Sequence, residues 1–93
     1  MVEKICEISL FAKSMFEEAV NSLYKKDYIL ADNVIAKAKS IYIIENEFIN
    51  LIEKMNNVNI SILRLIVESI RRTAEYSSDI SEIVLNLNVE NLL

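Results

Sequence analysis

This chain of 93 residues contains no glycine and no proline. A globular chain ordinarily carries about 7% Gly and 5% Pro. Hairpin loops, β-bulges and tight turns with positive φ depend on Gly. A sheet fold of this length built without it would be hard to connect. The chain is therefore expected to be all helical, with very few connections.

The same gaps remove classes of function. Without Gly there is no phosphate-cradling loop and no dinucleotide-binding turn. There is no His and no Trp, and only one Cys. The usual general base and the commonest metal-binding imidazole are therefore missing. Neither an internal disulfide nor a cysteine zinc site can be assembled. Carboxylates, hydroxyls and one thiol are what remains for chemistry, so an enzyme is not expected.

The net charge is −4 and the sequence pI about 4.8. Nucleic acid and anionic membrane surfaces both call for a basic face, so neither is an expected partner. No uncharged apolar run approaches the ~20 residues of a membrane span, and membrane insertion is not expected. The first eleven residues carry Glu3 and Glu7 and lack the basic start and long apolar block of a secretory leader. A cytoplasmic location is the expectation, with Cys6 acting as a small buried hydrophobe. Hydrophobic residues make up 53% of the chain, including 15 Ile. A domain this small buries only ~60–65% of its unfolded surface. Surplus apolar surface on a lone copy points to a homo-oligomer, a dimer in the simplest case.

Helical periodicity divides the chain into three segments. In the first, about 2–25, Ile5, Ile8, Ala12, Met15, Phe16, Ala19, Val20 and Leu23 recur at three- and four-residue steps. Lys25 and Lys26 suit a helix C-terminus, and Asp27 suits the cap of the next helix. The second, about 28–56, places Val34, Ile41, Phe48 and Met55 at heptad spacing, broadened by Leu30, Ala38, Ile44, Leu51 and Ile52. A parallel series, Tyr28, Ile35, Tyr42 and Ile49, lies beside it. So wide an apolar face wants more than one neighbour. Ile43 lies outside both series and is expected to be exposed. The run 56–59, Asn-Asn-Val-Asn, favours a turn and a cap. The third, about 60–88, has an inner face of Leu63, Ile66, Val67, Ile70, Ala74, Ser77, Ile80, Ser81 and Val84. Residues 88–93 have no strong period and are expected to fray.

Connections this short force antiparallel neighbours. The expected architecture is an up-down-up antiparallel three-helix bundle in a single domain, 1–93. Helices of ~25–29 residues give a rod roughly 40 Å long.

The outer face of the third helix carries Arg64, Glu68, Arg72, Glu75, Asp79 and Glu82. Glu75 and Asp79 are four apart and stack on one face, where two carboxylates could share a divalent or iron ion. Equally, Glu68 with Arg72, and Arg71 and Arg72 with Glu75, read as an ion-pair lattice worth a few tenths of a kcal/mol per pair. Spacing favours the lattice. Tyr28 and Tyr42 suit packing or an interface better than a ligand stack. Ser77, Ser78 and Ser81 have no base to activate them.

Two stretches resemble the PhoU family of phosphate-uptake regulators. One is Lys26-Asp27-Tyr28-Ile29-Leu30-Ala31-Asp32-Asn33-Val34-Ile35 at the start of the second helix. The other runs from Leu63-Arg64 through Glu68, Arg71-Arg72, Glu75 and Asp79-Ile80 to Ile83, and is the more specific, especially as written in archaeal members. The resemblance implies three-helix repeats, usually two per chain. A chain with one repeat would then pair with a copy of itself or belong to a longer protein. It also implies a regulator without catalysis, an adaptor between a phosphate transporter and its signalling or transcription machinery. Family members often hold metal on Glu-x-x-x-Asp clusters; Glu75 and Asp79 match that pattern. The second acidic set does not, because Ala38, Lys39 and Tyr42 stand there, which fits a protein contact better than a metal cluster. The expected contact surface is Tyr28, Ile35, Tyr42 and Ile49. A structural oligomerisation module with no phosphate role is the competing reading, and a metal-dependent activity is a distant third.

Overall fold

The computed structural model describes residues 2–54 and 59–92, with side chains described for 3–54 and 59–87. Three helices follow one another: α1 (Val2–Lys25), α2 (Tyr28–Glu53) and α3 (Ile60–Leu92). They form the expected up-down-up bundle, every pair in contact, in a rod of 57 × 17 × 16 Å. The rod exceeds the expected length because α3 continues to Leu92 instead of stopping near residue 88. No Gly or Pro stands there to end it. The second helix ends at Glu53 with Lys54 as its cap. The expected contact at Met55 and the turn cluster at 56–58 lie outside the described residues.

The α1–α2 connection is as short as a helical hairpin allows. The Asp27 N–H donates to the Ser22 carbonyl at 2.9 Å, and the Lys26 N–H to the Leu23 carbonyl at 3.4 Å. This pair of bonds satisfies the last carbonyls of α1 and turns the chain. The geometry requires a left-handed residue, and Lys26 supplies it at φ 54°. One residue later Asp27 caps α2, its Oδ1 accepting from the Leu30 N–H at 3.0 Å. At α3 the Asn59 Oδ1 accepts from the Ile62 N–H at 3.2 Å. Both caps answer backbone donors that a helix start leaves unpaired.

The core is one stripe from each helix. Ile8, Ala12, Met15 and Ala19 of α1 meet Val34, Ile41, Phe48 and Ile52 of α2 and Val67, Ile70 and Ala74 of α3. Burying each of the larger side chains is worth about 1.5–3 kcal/mol. Ser77 and Ser81 continue the α3 stripe with no exposure. Their hydroxyls donate to the carbonyls four residues back, Thr73 at 2.8 Å and Ser77 at 2.9 Å. A small side chain that satisfies itself on its own helix lets a neighbouring helix approach closely.

Three expectations are corrected. Cys6 is exposed, because it stands one position round α1 from Ile5, off the stripe that continues through Ile8 and Ala12. Leu51 and Ile66 also face outward, at the margins of their helices' apolar stripes.

Candidate functional site

The seam between α2 and α3 carries most of the charge chemistry. Arg71, on α3, is two-thirds buried and sits among three carboxylates. Its guanidinium lies 3.4 Å from Glu45, 3.7 Å from Glu68 and 3.5 Å from Glu75. Arg72 hydrogen-bonds the Ser69 hydroxyl at 3.3 Å, so Arg71 alone fulfils the lattice expected of the pair. Below this group, Arg64 pairs with Glu53 across the same seam. On the α1–α2 seam Lys37 donates to both oxygens of Glu18 at 2.8 and 2.9 Å.

Glu45 is the residue that the helix 3 pattern did not reveal. It is buried on α2 between Ile41 and Phe48. Burial raises its carboxyl pKa above the ordinary value; the Arg71 charge opposes this, while Glu75 and Glu68 reinforce it. The spacing does carry a signal. Ala38, Ile41, Glu45, Phe48 and Ile52 follow the three- and four-residue steps of a core stripe, with one acid in the row.

Tyr42 joins the cluster from the outside. Its hydroxyl donates to Glu75 Oε1 at 3.0 Å. The phenol pKa is raised, first by that hydrogen bond and then by desolvation and nearby negative charge, with Arg71 working the other way. Around Tyr42 opens a cleft of about 300 Å³ lined by residues of both helices. Ile35, Ala38, Lys39 and Tyr42 come from α2, and Glu75, Ser78, Asp79 and Glu82 from α3. Of the expected contact series, Ile35 and Tyr42 line this cleft. Tyr28 and Ile49 are half-buried, Ile49 against the core. Ile43 is exposed, as its position implied.

The expected metal pair is split in its engagements. Glu75 is held by Arg71 and Tyr42, while Asp79 and Lys39 stand on the cleft rim without an ion-pair partner among the described residues. Within the described residues no three His, Cys, Asp or Glu side chains converge as a metal-binding group. A cation, Lys39, occupies the α2 side where further oxygen donors would be needed. This donor set does not suit a multinuclear metal cluster.

The described residues also contain no helix long and apolar enough to cross a membrane. No curated protein and no solved structure shows a significant match to the chain. The PhoU domain family model matches residues 5–84, which takes in nearly all of α1, all of α2 and α3 as far as the last core residue, Val84. With three antiparallel helices and that match, this chain belongs to the PhoU domain family.

Proposed function

We propose that this PhoU domain is a non-enzymatic adaptor in phosphate-dependent regulation, and that its partner protein seats on the α2–α3 cleft around Tyr42. The observation that carries the reading is the make-up of that cleft. Tyr42 and Ile35 offer an aromatic and aliphatic centre, and the charges of Lys39 and Asp79, without an ion-pair partner among the described residues, stand at the rim. An apolar anchor ringed by polar groups is the usual anatomy of a protein contact. Family membership supplies the link to phosphate regulation. The chemistry supports contact over catalysis, because the chain has no His to activate the Ser78 hydroxyl that lines the cleft.

The full chain, immobilised and exposed to lysate from phosphate-limited cells, is expected to retain a component of phosphate transport or its signalling machinery, identified by mass spectrometry. Tyr42→Ala together with Asp79→Ala should abolish that retention with helicity unchanged. Retention of no such component, or equal retention by the double variant, would overturn the proposal. The first result would favour an oligomerisation module without a phosphate role.

A further inference from the structure

The interhelical ion pairs of this bundle are unevenly placed. Glu18–Lys37 ties α1 to α2, while Glu53–Arg64 and Glu45–Arg71 tie α2 to α3. Among the described residues none joins α1 to α3. That third seam is finished with apolar side chains and hydroxyls. A groove of about 360 Å³ runs along it, lined by Ser9, Ala12, Phe16, Ser69, Ile70 and Thr73, with Lys13 at its edge. A second hollow continues past Phe16 to Val20 and Asn21. Because α1 and α3 run parallel and Phe16 lies beside Thr73, Val20 and Leu23 fall beside the α3 segment that carries Ile80 and Ile83.

The result is a continuous apolar face on two helices. Phe16, Val20 and Leu23 of α1 and Tyr76, Ile83 and Leu87 of α3 are each between 41% and 59% exposed. Together they leave on the order of 600 Å² of apolar surface open, the upper end of what a monomer usually shows. We infer that this α1–α3 face is where a second copy of the chain docks, two-fold related, so that two parallel helices from each copy form an antiparallel four-helix layer.

Three observations select that occupant. The area is close to the ~800 Å² per partner of a standard interface, and the flanking Ser9, Ser69 and Thr73 supply the remainder. Each copy carries a net charge of −4, so two copies repel unless they meet where charge is least. The α1–α3 face meets that condition: on its α1 side Lys13 and Glu17 already pair with each other at 3.8 Å, and on its α3 side Arg72 is engaged by the Ser69 hydroxyl at 3.3 Å. A basic partner would instead be drawn to the carboxylates of the α2–α3 seam. Finally, an isologous contact needs a self-complementary patch, and a charge-poor apolar stripe along two helices meets that need. Docking here also leaves the Tyr42 cleft open, so the inference stands or falls separately from the adaptor reading.

Light scattering of the full chain over a micromolar concentration range tests it. The expected mass is twice 10.7 kDa. Val20→Glu with Ile83→Glu should raise the dissociation constant at least ~100-fold, since two charges would be buried against apolar surface. Ile43→Glu, at a more exposed apolar site on α2, should leave the dimer intact. Circular dichroism checks that each variant stays helical. Should the double variant lose its helices, hydrogen exchange of the parent decides, with protection at residues 16–23 and 76–87 rising as concentration rises. A parent that is monomeric to ~100 μM, a dimer untouched by the double variant, a dimer broken by Ile43→Glu, or concentration-independent exchange at those segments would overturn it.

Discussion

The Tyr42 hydroxyl donates to Glu75 Oε1 at 3.0 Å, tying the exposed edge of α2 to the carboxylate that Arg71 also holds. That single bond explains why Glu75 is not an isolated surface acid and why the Tyr42 phenol resists ionising. Its raised pKa means that the bond contributes stability at all pH values below the ordinary Tyr range and loses it as pH rises through the folded value. Absorbance titration near 295 nm, taken as the difference between the parent and Tyr42→Phe, should show a phenol titrating above ~10. In a Glu75→Gln background that phenol should titrate lower. An unchanged midpoint would show that the bond does not form in solution.

Glu45 makes a second pH-dependent prediction. Burial raises its folded pKa above the unfolded value, in spite of Arg71. The native state then holds the proton more tightly than the unfolded chain does. The associated stability is fully present below the unfolded Glu value, ~4.3, and is lost as pH rises through the folded one. Glu45→Gln removes this dependence. Compared by urea denaturation, the variant should gain on the parent between pH 4 and pH 7.5. A difference that stays constant with pH would show that Glu45 is not desolvated.

The small residues of α3 predict an asymmetric response to substitution. Ser77 is fully buried, but its hydroxyl is satisfied by the Thr73 carbonyl of its own helix. Ser77→Ala removes donor and need together and should change stability by less than ~1 kcal/mol. Ser77→Leu has no room and should cost about 1–3 kcal/mol or more. Thermal melts of the two variants separate the cases; equal effects would mean that the helices are not closely packed there.

Much of this molecule is legible in its residues. The missing Gly and Pro make a sheet hard to connect, and the three- and four-residue steps through Ile8, Val34, Phe48 and Ala74 locate the three stripes that meet. Asp27 announces its cap. What periodicity cannot fix is how far each stripe is covered when only three helices are present. Phe16, Val20 and Leu23 lie on the same run as Met15 and Ala19, yet the bundle leaves them half open. The same limit affects Cys6, Leu51 and Ile66, which sit at stripe margins. Charge pairing across seams was legible only in part. The i,i+4 rule finds Arg71 with Glu75, but Glu45 with Arg71 and Glu18 with Lys37 join different helices, and their meeting depends on helix register, which spacing within one helix does not encode.

The Glu75–Asp79 pair yields a metal prediction. An ion bound there would have to sit beside the Arg71 guanidinium, which with Tyr42 already holds Glu75 Oε1, and Lys39 would face it across the cleft. Zinc, manganese or ferrous iron added to the chelator-treated chain should therefore bind no tighter than ~0.1 mM, the weak end of oxygen-ligand sites. Calorimetric titration measures this. Tight 1:1 binding that disappears in Glu75→Ala with Asp79→Ala would reverse the conclusion.

Lys26 is where the lack of Gly has its cost. The α1–α2 turn needs a left-handed residue after the helix end, and Lys adopts φ 54° there against the clash of its own Cβ. The hydrogen bonds from Asp27 to Ser22 and from Lys26 to Leu23 depend on that backbone angle, while among the described residues no ion pair ties the Lys26 side chain to a partner across the turn. Lys26→Gly should therefore keep both bonds and relieve the strain. Gly loses more freedom on folding, which offsets part of the gain. The net expectation is a stabilisation of about 0.5–1 kcal/mol, with Lys26→Asn gaining less and Lys26→Val losing stability, because a β-branched side chain fits worst at positive φ. Urea midpoints of the three variants give the order directly. If Gly ranks below Lys, the turn is held by contacts of the lysine stem instead of by the backbone bonds.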